Sequence, residues 1–341
     1  MVVVLHWTLI HGVKSTIVTL RQHIFLLAAM MLLTSCTHEE VQEVGRIVSI
    51  RLVTDSMEVE QPVNDLTTRA ADGINNNATF IFPADFSVSV DGNNFIYTAN
   101  DNVNNMTSSA PASYPIDNSS VQVLAFYPAF GMHYSTTPQT FTVAQNQSQT
   151  SLGTDNYRVS DLMYGVPKSD FAHLDGSGKV EPTDDPVPLV FEHKMVKIRI
   201  DVTTNGATVK GITMKNVKRS IDFNTVDATF SNLATAADGL GDNVIMYKNT
   251  AGTSTNFTCT ALIPTQSLAA DTAFIDVVID AQPSDLTFTY KLHEAASFDP
   301  GKQYIYNLAV TMDGVEVSCS IANWNTTPAG WTDINETLIL H

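Results

Sequence analysis

Apolar residues recur at every second position through most of the chain, which is the period of a half-buried β-strand. Phe86, Val88 and Val90 alternate with Ser87 and Ser89, and Asp91-Gly92 then marks a turn. Ile275, Val277 and Ile279 alternate with polar residues such as Asp276. After a turn at Pro283-Ser284-Asp285, Leu286, Phe288, Tyr290 and Leu292 alternate with Thr287, Thr289 and Lys291. Tyr304, Tyr306, Leu308, Val310 and Met312 form one face, and Val315, Val317, Cys319 and Ile321 form a return face. Asp313-Gly314 between them predicts a two-residue hairpin with Met312 opposite Val315 and Val310 opposite Val317. Leu308 then meets Cys319, Tyr306 meets Ile321, and both apolar sets share a side. No long helical periodicity accompanies these strands. Many short strands between Gly, Pro, Asn and Asp turns predict an all-β fold built of β-sandwiches.

The remaining segments fit the same pattern. Ile47 to Val53 reads as a strand with Val48, Ile50 and Leu52 on one face. Glu58 to Thr68 is a polar, exposed loop ending at Leu66-Thr67-Thr68-Arg69-Ala70-Ala71. Asn100 to Pro115 and Asp170 to Pro186 also read as loops, and the dense apolar run Val121 to Tyr127 as a buried strand. In Pro188 to Val202, Leu189, Phe191, His193 and Met195 share one phase, and Val196, Ile198, Ile200 and Val202 share the other. That slip predicts a β-bulge or a sharp bend, with Lys197, Arg199 and Asp201 on the solvent face. Thr203 to Gly206 is turn-like and is placed as a domain boundary. Near the end, Pro328, Gly330 and Trp331 give a loop, and Glu336 to Leu340 forms a short apolar β-segment.

Charge narrows the function. Lys and Arg number 18 against 35 Asp and Glu, for a formal net charge of -17. Nucleic-acid binding needs basic patches that displace counterions, so it is excluded as an expectation. The start of the chain carries a different signal. Lys14 and Arg21 precede the apolar run Ile24 to Leu33, which has the length of a signal-peptide core and is too short to span a bilayer. Leu33-Thr34-Ser35-Cys36 then matches the lipobox of bacterial lipoproteins, in which the cysteine sulfur takes a diacylglycerol anchor. The alternative is an ordinary secretory signal with a chance cysteine. The leader is long, consistent with a true start downstream of Met1. About 305 residues remain after cleavage at Cys36, roughly two domains of ordinary size.

Catalytic chemistry finds little support. The chain has no HxH or HExxH spacing, no G-x-S-x-G elbow and no P-loop, so no enzyme, metal site or cofactor is expected. His193 lies on the core phase of its strand and reads as a structural histidine. Asp175, Glu181, Asp184 and Asp185 crowd one loop among prolines and glycines, a solvated turn that would suit at most a weakly held calcium ion. Cys259 and Cys319 sit at apolar phases and read as two buried thiols more readily than as a disulfide.

Several motifs in order resemble the fimbrillin family of Bacteroidetes, the subunits of lipoprotein-derived (type V) pili. They are the lipobox Cys36, Thr68-Arg69-Ala70, and the strand Leu189-Val190-Phe191-Glu192-His193-Lys194. Ile212 to Val217, Phe298 to Tyr306, and the ending Ile321-Ala322-Asn323-Trp324 follow. Glu39 and Glu40 resemble the surface-export signal of lipoproteins from the same phylum. The resemblance implies two tandem transthyretin-like β-sandwich domains after a lipoprotein signal peptide. It divides the chain into a leader at 1–35, a propeptide with an excisable strand at 36–69, and sandwiches at 70–205 and 206–341. It implies outer-membrane export, cleavage by a trypsin-like protease between Arg69 and Ala70, and loss of the strand Ile47 to Val53. A strand from another pilin subunit, carrying Thr337, Leu338, Ile339 and Leu340, would fill the vacancy by β-augmentation. The same C-terminal segment reads alternatively as the last strand of its own domain. The expected role is a structural or tip subunit of an adhesive surface pilus, with a host or glycan ligand. The alternative is a non-polymerising surface glycan-binding lipoprotein with Trp324 and Trp331 in its platform.

Overall fold

A computed structural model of the chain describes residues 45–53, 84–100, 105–148, 150–151, 154–232, 241–248, 255–281, 283–312, 314–323 and 332–338. Its first strands are β1 (Ile50–Leu52), β2 (Ala84–Val90), β3 (Asn93–Ala99), β4 (Asn105–Met106) and β5 (Val123–Tyr127). Next come β6 (Gln139–Thr142), β7 (Thr150–Ser151), β8 (Thr154–Asp155), β9 (Met163–Pro167) and β10 (Val187–His193). The middle holds β11 (Val196–Asn205), β12 (Thr208–Val217), β13 (Ser220–Asn224), β14 (Thr229–Ser231), β15 (Asp242–Ile245) and β16 (Tyr247–Lys248). Then follow β17 (Asn256–Ile263), β18 (Gln266–Leu268), β19 (Ala273–Asp280) and β20 (Leu286–Lys291). The chain closes with β21 (Ala296–Phe298), β22 (Lys302–Thr311), β23 (Val315–Asn323) and β24 (Thr332–Leu338). The described fold is therefore all-β, as the period-two pattern requires.

The first sheet runs β3-β2-β5-β9-β10-β1-β4. Its two ends meet, because Thr98 N donates to Thr107 O (2.7 Å) and Thr107 N donates back to Thr98 O (2.9 Å). Phe86, Val88, Ile50, Leu189 and Phe191 pack inside this curled sheet. Ser87 and Ser89 on the opposite phase are buried too. The outer face of β2 and β5 is roofed by a three-stranded sheet, β14-β13-β6, whose Phe141, Ile221 and Phe223 pack with Leu124 and Phe126. This double burial explains the unbroken apolar run in β5.

The second group is a sandwich. A six-stranded sheet, β16-β17-β11-β22-β23-β24, faces a four-stranded sheet, β15-β12-β19-β20. Ile198, Ile200, Tyr306 and Leu308 from one sheet share a core with Ile212, Met214, Ile275 and Val277 from the other. Two-stranded pairs β18-β21 and β7-β8 complete the pairing.

The phase slip between Met195 and Val196 marks the passage from the first sheet to the second. β10 pairs with β1 and β9, whereas β11 pairs with β17 and β22. Gly301 N holds the crossing by donating to Met195 O (2.9 Å). Gly301 has φ +68° and a Cβ there would lie 3.2 Å from His193 O, so a side chain is disfavoured twice. The sheet change thus falls at Lys194-Met195, and the turn at 203–206, placed as a boundary from the sequence, is a corner between β11 and β12. β6 also reaches across that expected boundary to pair with β13.

Two side-chain expectations need correction. Lys197, assigned to solvent, is 1% exposed. Its antiparallel partner is Leu262, which packs into the core beneath the roof sheet, so this end of β11 is covered on both faces. Farther along, Arg199 and Asp201 are partly exposed and pair at 2.9 Å. The β22-β23 hairpin turns one residue earlier than predicted. Thr311 N donates to Gly314 O (2.9 Å), Val310 pairs with Val315, and Tyr306 pairs with Cys319. Every partner moves by two residues, so the apolar face is preserved, but Met312 is left 42% exposed.

The register also answers the cysteine question. Cys259, Ile200, Tyr306 and Cys319 lie in one row across β17, β11, β22 and β23. Three strand spacings separate the cysteines by about 14 Å, roughly twice the Cα reach of a disulfide. Neither forms a disulfide. Adding a reductant should leave the unfolding midpoint unchanged, and both should alkylate once the chain is unfolded. A midpoint that falls on reduction would contradict the row.

Candidate functional site

Residues 46–53 occupy a slot within the first sheet. Val48, Ile50 and Leu52 turn inward and are 0%, 0% and 4% exposed, while Ile47 and Arg51 face out. On one edge the strand runs parallel to β10, with Ile50, Arg51 and Leu52 against Val187, Pro188 and Leu189. Val187 N donates to Ser49 O (2.8 Å), and Val53 N donates to Leu189 O (3.0 Å). On the other edge it runs antiparallel to β4, with Ile50 against Met106 and Arg51 against Asn105. Upstream on that edge, Tyr114 N donates to Arg46 O (2.7 Å) and Val48 N donates to Ala112 O (2.9 Å).

Tyr97 of β3 completes the slot from within. Its hydroxyl donates to Val48 O (2.9 Å) and accepts from Ala112 N (3.0 Å). Burial raises its pKa above the ordinary tyrosine value, so the phenol stays protonated and able to donate.

The energetic consequence follows from these contacts. Burying each of the three apolar side chains is worth about 1.5–3 kcal/mol, and each net hydrogen bond about 0.5–1.5 kcal/mol. Without the strand, the core would open along an apolar trough with unpaired backbone groups on both edges. Such an edge recruits another strand.

The loop from Asp170 to Pro186 clasps the start of the strand. Arg46 Nε lies 3.1 Å from Asp184 Oδ1, and its Nη1 donates to Pro182 O (3.1 Å). Asp185 instead pairs with His173 at 2.9 Å. Asp175 Oδ1 accepts from Ser177 N (2.8 Å), Ser177 Oγ (2.7 Å) and Lys179 N (3.0 Å). The carboxylates that the sequence crowds together are thus dispersed onto separate partners. Among the described residues no group of three His, Cys, Asp or Glu could hold a metal ion. The hydrogen bonds from Ser177 and Lys179 lower the Asp175 pKa from 3.8 to about 2. Its folded value is depressed, so its contribution is present above pH 3.8 and is lost as pH falls through about 2. An NMR titration of the Asp175 carboxyl should therefore have its midpoint near 2.

The structure distributes the expected site residues unevenly. Strand 47–53 is paired and inward-facing where the sequence puts it. Cys36, Arg69 and Ala70 lie outside the described residues, as do Ile339, Leu340, Trp324 and Trp331. Thr337 and Leu338 end β24, which is antiparallel to β23 with Leu338 opposite Val317. In the single chain the segment through Leu338 is therefore the last strand of its own sheet. His193 is buried, as expected of a structural histidine, and its Nδ1 lies 3.0 Å from Asp161 Oδ1. The sequence reading missed the far wall of the slot. Met106, Ala112 and Tyr114 are buried within a stretch that reads as loop. Their signal was apolar residues recurring among Asn and Ser.

Comparison with known proteins bears on the family and the fold. A family model described as Fimbrillin-like matches residues 51–324. "Putative fimbrium subunit Fim1C" of Bacteroides uniformis is 25% identical over 227 residues, spanning 62% of this chain and 64% of its own length. A crystal structure of a "putative cell adhesion protein" from Bacteroides ovatus superposes with TM-score 0.55 at 14% identity, covering 83% of this chain and 99% of its own. Another so described, from Bacteroides uniformis, gives TM-score 0.51 at 18% identity, with 82% and 98% covered.

Proposed function

Because the chain belongs to the fimbrillin-like family, we propose that it is a non-enzymatic structural or tip subunit of a surface pilus, built by strand exchange. It is made as an outer-membrane lipoprotein anchored through Cys36. Residues 36–69 are its propeptide, and cleavage between Arg69 and Ala70 frees the strand at 47–53. The observation that carries this reading is the slot itself: a short N-terminal strand lies between β10 and β4, paired with one on each edge. The strand joins β2 through residues 54–83, a stretch in which Arg69 is the sole Lys or Arg. A trypsin-like protease thus meets one target between Arg51, inside β1, and Arg158, in the folded 3-10 turn.

The replacement strand is the C-terminal segment of another pilin subunit. As a strand, Thr337 to Leu340 turns every second residue to one face, so either Leu338 and Leu340 or Thr337 and Ile339 face the vacated trough. At the cell surface the assembled fibre serves adhesion to a host or glycan ligand. Deleting residues 337–341 tests the donor assignment. The shortened chain should still be processed to an Ala70 start but fail to polymerise. Polymers of undiminished length would remove the C-terminal segment as donor.

A further inference from the structure

We infer that the Tyr97 hydroxyl selects the phase and reach of any strand that enters the slot, by claiming the carbonyl at the position Val48 now holds. The inference rests on the strand-exchange reading above and adds to it a positioning residue for the incoming strand.

The wall opposite β10 is not one continuous strand. Residues 46–48 pair with the segment around Ser113, through the Ile47–Ser113 bridge. Two residues on from Val48, Ile50 pairs with Met106 of β4. The partner therefore jumps from Ser113 to Met106 while the slot strand advances from Ile47 to Ile50, and the ladder breaks at Val48. The Tyr97 phenol sits at that break. It accepts a hydrogen bond from Ala112 N at 3.0 Å and donates one to Val48 O at 2.9 Å, as a bridging water would. Tyr97 is 1% exposed, so water has no ready access to replace it.

Carbonyls point to a given strand edge only at alternate residues. A strand slipped by one residue with its apolar face kept inward turns its carbonyl toward β10 and leaves a buried hydroxyl without an acceptor, the costly case for a polar group, whereas a slip that keeps the carbonyl in place turns the apolar residues outward. A strand that stops short of the break leaves the same hydroxyl unmet. Tyr97 thus requires an occupant that spans both wall segments with its apolar residues in the phase of Val48, Ile50 and Leu52. A second copy of this chain could supply it from its C-terminal segment.

The test uses the full chain nicked after Arg69 and a labelled peptide of residues 45–53 as probe. In the unaltered protein the probe should exchange into the slot. Tyr97→Phe should shorten its residence time roughly tenfold, the scale of one lost buried hydrogen bond. A probe with a thioamide at Val48, a weaker acceptor, should lose a similar factor on the unaltered protein and little more on Tyr97→Phe. If Tyr97→Phe does not fold, the thioamide comparison on the unaltered protein decides alone. Exchange indifferent to both changes would overturn the role of Tyr97 and leave strand exchange standing. A probe that never enters the nicked chain would overturn both.

Discussion

Replacing Arg69 by alanine should leave the protein as an unprocessed precursor and abolish its polymers. A trypsin-like pocket is built to pair a buried carboxylate with a basic side chain. Removing that side chain forfeits cleavage by a factor on the order of 10⁴. The neighbouring basic residues offer no detour. Arg51 lies within β1, its backbone paired on both edges, and Arg158 lies in the 3-10 turn. Arg69→Lys should retain processing, because the charge and reach are kept. On a denaturing gel of surface material the alanine variant should run as a single band where the parent gives a ladder. A ladder from Arg69→Ala would show that assembly proceeds without this cut.

Ile50→Asp should separate the precursor from the assembled subunit. Ile50 is wholly buried between Val187 and Met106, with Val48 and Leu52 beside it in the same core. A carboxylate there has no partner, and a buried unpaired charge costs about 3–5 kcal/mol. The urea midpoint of the precursor should fall steeply. If residue 50 leaves with the propeptide, as proposed, fibres from chains that survive to be processed should match the parent in stability. Ile200→Asp makes the contrast. Ile200 sits in the core of the six-stranded sheet and stays in the mature chain, so it should weaken precursor and fibre alike. Equal weakening of fibres by both substitutions would mean that strand 1 is retained.

The alternation of side chains made the strands readable. Ile275, Val277 and Ile279 are 0%, 1% and 0% exposed, as period two predicts, and Val48, Ile50 and Leu52 behave alike. What the pattern does not encode is which strand pairs with which. The polar turn at 203–206 looks like a linker because corners and linkers share the same residues. Only the long-range pairing of β11 with β22 assigns it to a corner. Lys197 was misread for a related reason. Its phase is polar along most of the strand, and its burial depends on a roof contributed by residues far away in the chain. The turn at 311–314 shifted because Thr311 caps it, with its Oγ1 accepting from Gly314 N at 3.1 Å, while Asp313-Gly314 is the commoner hairpin signal. At the slot, the inward face of strand 1 could be read locally. The Tyr97 bridge could not, since it joins Val48, Tyr97 and Ala112 through a break in the wall that exists only once the sheet has curled.

The most direct measurement is the mature N-terminus of the protein recovered from the cell surface, read by mass spectrometry. A start at Ala70, with no residue of strand 1 remaining in the polymers, is the expected result. A lipidated Cys36 carrying the intact strand in surface polymers would contradict strand removal. The same species found only as monomers would point to the non-polymerising glycan-binding lipoprotein.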